Sequence, residues 1–115
     1  MKKVNITVDG KKYTLTFNRK TAAAFNQMGF EADDLRNKPL VAIPPFILCA
    51  FKANHDSISQ KKVNEIWAAV PKKKKPDVLN ALITMYSDTY LDLMGDDNAT
   101  DDEDEGNGAS VEFEE

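Results

Sequence analysis

The chain has 115 residues, of which 42% are hydrophobic and 30% charged, with one cysteine. This length holds one domain around one small core and excludes a second, while a lone Cys49 excludes an internal disulfide or a thiolate metal cluster. The net charge of −4 averages two unlike parts: residues 96–115 carry ten of the nineteen acids and no Lys or Arg, which leaves residues 1–95 at +6.

Met1, Lys2 and Lys3 lead directly into alternating apolar and polar residues, so no secretory signal is expected. Val4, Ile6 and Val8, then Tyr13, Leu15 and Phe17, alternate on either side of Asp9-Gly10, which predicts a β-hairpin. Its second face, with Asn5, Thr7, Thr14 and Thr16, is expected to be wet, and its apolar face needs helices to cover it. Asn18 is a suitable N-cap for a helix over residues 19–28, with Ala24, Phe25 and Met28 at helical spacing and Gly29 as its stop. Residues 31–37 suggest one or two helical turns with Leu35 inward.

Ile43-Pro44-Pro45 reads as a helix entrance, and residues 46–53 continue it with almost no polar side chain. That run, even extended back to residue 40, is too short for a membrane span of roughly twenty residues. A helix apolar around most of its circumference either sits at the centre of the domain or lends one side to an oligomer interface. Ser57 or Ser59 caps the next helix, where Val63, Ile66, Trp67 and Val70 form a core stripe ended by Pro71. Lys72, Lys73, Lys74 and Lys75, with a proline on each side, form an exposed basic turn. Asp77 then caps a long helix with Leu79, Leu82, Ile83, Tyr86, Tyr90 and Leu93 inward and Gly95 as its end. The expected architecture is α+β: an N-terminal hairpin packed on four to five short helices over residues 1–95, followed by a disordered acidic tail over 96–115. Within that tail only Val111 and Phe113 look like an anchor that adds as a strand or packs on a partner.

No constellation for catalysis stands out. His55, the single histidine, falls at a helix end where a solvated or capping role outweighs that of a base. No nucleophile has a recognisable setting, and the five glycines form no phosphate loop. Asp101, Glu103, Glu105, Gly106 and Glu112 partly match a calcium loop, but the long Glu side chains, Gly108 in an apolar position and the lack of an exit helix make it a chance alignment. No metal or other cofactor is therefore expected, nor an enzymatic activity. The lysine turn has the charge to bind phosphates, yet no aromatic residue interleaves with it to stack on bases. Cys49 reads as a small buried hydrophobe.

The order of these features, with Lys2-Lys3-Val4-Asn5-Ile6-Thr7-Val8-Asp9-Gly10 and the rest of the hairpin, Asn18-Arg19-Lys20-Thr21, Met28-Gly29-Phe30, the helix around Ile58 to Trp67, the closing helix with Tyr86 and the acidic end, resembles the small tail assembly chaperones of long-tailed bacteriophages of Gram-positive hosts. The resemblance covers residues 4–93. It implies a non-catalytic protein that binds and solubilises the tape measure protein, brings tail tube subunits to it, acts in the host bacterial cytoplasm and is absent from the mature virion. It also implies a shorter, non-frameshifted form, whose longer counterpart would diverge near Glu115. An oligomer is expected, with partner-binding residues Phe46, Ile47 and Phe51 on the apolar helix and Val111 and Phe113 near the end. The alternative is a small nucleic-acid-binding or regulatory protein whose basic body is masked by its acidic tail.

Overall fold

A computed structural model describes residues 3–94 and 111–114. The chain is α+β: a hairpin of β1 (Lys3–Val8) and β2 (Lys11–Leu15), then α1 (Arg19–Gln27), α2 (Asp34–Asn37), α3 (Pro39–Lys52), α4 (Gln60–Ala69) and α5 (Lys75–Met94), and finally β3 (Val111–Glu114). Asp9 and Gly10 both take positive φ, 55° and 79°, the pair of left-handed residues that a two-residue turn needs to match the twist of its strands. The register Val4↔Leu15 and Ile6↔Tyr13 places four apolar residues on one face, and all four are buried.

Of the two roles open to the Val111 and Phe113 anchor, adding as a strand or packing on a partner, the structure shows the first, within the chain's own sheet. Val111–Glu114 pairs antiparallel with β1 in the order β2-β1-β3, so β1 is the central strand. The remainder of the expected tail, residues 96–110 and 115, lies outside the described residues, as does Gly95, the expected end of α5. The expected wet face is correspondingly drier. Thr7 is exposed, but Asn5 stands between Thr14 and Glu112 in register, is only 3% exposed, and accepts a hydrogen bond from the Thr14 hydroxyl at 2.8 Å.

Asn18 caps α1 reciprocally: its Oδ1 accepts from Thr21 N–H at 2.9 Å, while Thr21 Oγ1 accepts from Asn18 N–H at 3.1 Å. Gly29 follows the helix at φ 98°, a left-handed conformation that suits glycine. Helix α3 begins at Pro39, earlier than the proline pair suggested, and Pro44 and Pro45 lie inside it. Proline lacks an N–H, so the carbonyls of Leu40 and Val41 lose their helical donors; both residues are exposed, which leaves water as a ready substitute. Ser59 caps α4, its hydroxyl accepting from Lys62 N–H at 3.1 Å. Helix α5 likewise starts two residues before Asp77, at Lys75, with Pro76 in the first turn, where its missing donor costs nothing.

Phe46 joins the layers. Its ring lies 4.9 Å from Phe17 after the hairpin, 5.1 Å from Phe25 of α1 and 5.7 Å from Tyr86 of α5, centroid to centroid. The buried face of α5 is Val78, Leu82, Met85, Tyr86 and Thr89, whereas Tyr90, expected inward, is 60% exposed. Its neighbour Thr89 takes the inward position, its hydroxyl donating to the Tyr86 carbonyl at 2.7 Å. Met28 is also exposed, beyond the last turn of α1.

Candidate functional site: an apolar groove between α3 and α4

The accessible apolar surface begins with the helical repeat of α3. Ala42, Phe46, Cys49 and Ala50 point inward and are buried, so Leu40, Ile43 and Ile47, at i, i+3 and i+7, form a second stripe turned toward α4. Val63 and Trp67, one turn apart on α4, face that stripe. Together with Pro39, Pro44 and Asn64 these residues line a groove of about 270 Å³. Its floor is the buried pair Ile47 and Val63, and its rim is open: Leu40 is 92% exposed and the adjoining Val41 59%. Gln60 fixes the two walls, its Nε2 donating to the Pro44 carbonyl and to Asn64 Oδ1, both at 3.0 Å. Lys75 Nζ stands 5.5 Å from the centre of the Trp67 ring, within cation–π range. Trp67 is thus half-buried, packing against the core with one side and forming a groove wall with the other.

A second depression, about 700 Å³, lies between the end of α1 and α5, with Phe30, Tyr86 and Tyr90 along it. Its best polar donor is already committed: Asn26 Nδ2 donates to the Tyr86 hydroxyl at 2.8 Å and to the Phe30 carbonyl at 2.9 Å. The groove between α3 and α4 is the more apolar of the two and carries the most exposed large apolar residue among those described.

The five partner residues expected from sequence do not share one surface. Phe46 and Phe51 are fully buried in the core, which withdraws them from contact with a partner as the chain stands. Ile47 alone reaches the groove, at its floor. Phe113 is partly buried against the core as a member of the chain's own sheet, and Val111 stands opposite Ile6 in the register. Sequence reasoning missed Leu40, Ile43 and Val63 as groove residues. The signal was present in the spacing of Leu40, Ile43 and Ile47, offset by one to two residues from the inward set.

His55 serves the fold. Its Nε2 accepts the Thr14 N–H at 3.1 Å, Asn54 Nδ2 donates to the Thr14 carbonyl at 3.2 Å, and Thr16 N–H donates to the Ala50 carbonyl at 3.1 Å. The end of α3 therefore covers the outer edge of β2, which would otherwise offer unpaired backbone groups. Burial, with a smaller effect from Lys11, holds the His55 pKa below its ordinary value. Of the lysine turn, Lys72 and Lys73 are exposed while Lys74 and Lys75 are half-buried. Among the described residues no cluster of three or more His, Cys, Asp or Glu side chains is placed to hold a metal ion, and no helix is long and apolar enough to cross a membrane. The calcium-loop spacing falls outside the described residues except for Glu112 in β3.

These features define a small α+β domain whose most accessible chemistry is an apolar groove between two helices. The chain belongs to the family described as Domain of unknown function (DUF5055), which it matches over residues 1–109. No curated protein and no solved structure matches it significantly.

Proposed function

We propose that the chain is a non-catalytic phage tail assembly chaperone that holds the tape measure protein soluble in the α3–α4 groove and helps bring tail tube subunits to it. It acts as an oligomer in the cytoplasm of the infected bacterium and stays out of the finished virion. The observation that carries the reading is Leu40, 92% exposed on a helix whose other side is the centre of the core. An amphipathic helix of a long apolar client docks into such a groove through side chains at i, i+3 or i+4 and i+7, and each large apolar side chain so buried contributes about 1.5–3 kcal/mol. The resemblance of residues 4–93 to tail assembly chaperones supplies the client's identity.

Co-expression with a tape measure protein tests it. The wild-type chain is expected to raise the client's soluble fraction, and the double variant Leu40→Glu, Val41→Glu to lose that effect while unfolding at the same temperature. No gain in solubility with the wild-type chain overturns the reading; equal gains with both chains remove the groove from it.

A further inference from the structure

We infer that the second edge of β1, filled in this chain by β3, is a strand-addition site for an extended partner segment of alternating apolar and acidic residues. The inference does not rest on the chaperone reading. It begins from how differently the two neighbours of β1 are held. Strand β2 is joined to β1 by a two-residue turn and is clamped along its outer edge by Ala50, Asn54 and His55. Among the described residues strand β3 spans Val111–Glu114 and pairs with β1 alone, and Phe113 packs against the core. A four-residue strand at the edge of a sheet, held there by a single ladder, opens at lower cost than the whole domain.

The register states what the seat selects. Position 113 lies opposite Val4, which is fully buried, and position 111 opposite Ile6, so a segment placed there turns every second residue toward the core face. The intervening positions hold Glu112 opposite Asn5 and Glu114 opposite Lys3. Residues 3–94 carry fourteen Lys and Arg against nine Asp and Glu, so the surrounding body attracts an acidic strand. Backbone pairing supplies affinity in this mode of recognition and the alternate side chains supply selectivity.

A tethered β3 competes at an effective concentration on the order of millimolar, which sets a threshold for any segment arriving from outside.

The probe is a fluorescent peptide with the sequence of residues 109–115, titrated into the full wild-type chain and into full-length Phe113→Lys, which weakens the resident strand. The variant is expected to bind at least about tenfold more tightly than the wild type, with amide shifts concentrated at Lys3 to Ile6. A peptide with Lys in place of its Glu residues is expected to bind at least about tenfold more weakly. Equal affinity for both chains, or binding that leaves the β1 amides unmoved, overturns the assignment. Wild-type hydrogen exchange decides independently of how the variant folds: β1 amides that face β3 are expected to exchange at least about a hundredfold faster than those that face β2. Exchange of both sets together, only through global unfolding, overturns the inference. Strand-exchanged dimers of the wild-type chain in sedimentation would give the seat to a second copy and likewise overturn a partner segment.

Discussion

His55 secures β2 through a lone pair, and that has a pH consequence. Only neutral imidazole can accept the Thr14 N–H, and burial, followed by Lys11, keeps the folded-state pKa below the ordinary 6.5. A histidine depressed on folding binds fewer protons folded than unfolded. Its contribution is complete above the unfolded-state pKa and is lost as pH falls through that value toward the folded one. The unfolding free energy from urea melts is expected to fall between about pH 7.5 and about pH 5.5, by no more than about 1 kcal/mol for this bond, with the midpoint following it and His55→Gln showing a flatter dependence. A midpoint that rises toward acid contradicts the assignment. Cys49 gives a second residue-level test. It is 1% exposed, and burial pushes its thiol up to about 11 against a smaller opposing pull from Lys52. Because the thiolate is the reactive form, a thiol reagent at about pH 8 is expected to label it only at the rate of unfolding, accelerating with denaturant. Rapid labelling of the native chain would place Cys49 near the surface.

The elements were legible wherever the signal was local. Asp9-Gly10 encodes its own turn through two left-handed residues, and Asn18 encodes the start of α1 through a side chain that reaches only three residues ahead. Asn18→Ala is accordingly expected to lower stability by about 1 kcal/mol, with Asn18→Ser keeping most of it, as read from urea melts. An unchanged midpoint for Asn18→Ala would mean that packing of Phe25, not the cap, sets the helix start. Signals failed where the deciding partner was remote. Pro44-Pro45 resembles a helix entrance, yet the helix extends back to Pro39 because its exposed first turns tolerate two missing donors. Strand β3 was half legible: Val111 and Phe113 among glutamates mark a strand or a partner contact, but the choice of β1, more than a hundred residues away in sequence, is made by the fold. Phe46, Ile47 and Phe51 could not be separated from a surface by periodicity, since α3 is apolar nearly all round and only its neighbours decide which side is covered. The groove was half legible for the same reason: the Leu40, Ile43, Ile47 stripe is in the sequence, but its pairing with Val63 and Trp67 is a property of the packing.

For the molecule as a whole, the division between a basic body and an acidic end remains the feature that separates the chaperone reading from a nucleic-acid one, and the sheet changes how to probe it. Cutting the chain at Gly95 would remove β3 along with the acids and confound charge with folding. Replacing the seven carboxylates between residues 96 and 105 by their amides keeps β3 and shifts the net charge from −4 to +3. The body offers a weak polyanion surface for its charge: Lys75 lies over Trp67, Lys74 is half-buried, and only Lys72 and Lys73 of the basic turn are exposed. Two phosphate contacts give a slope of log affinity against log salt of about −2, and correspondingly weak binding near physiological salt. The amide variant is therefore expected to bind duplex DNA slightly at low salt and negligibly at about 0.15 M, as measured by fluorescence anisotropy across a salt series. Tight binding at that salt, with a slope steeper than about −4, would require lysines from several elements to act as one surface. The body would then be a nucleic-acid reader held in check by its own carboxylates, and the apolar groove would lose its place as the functional site.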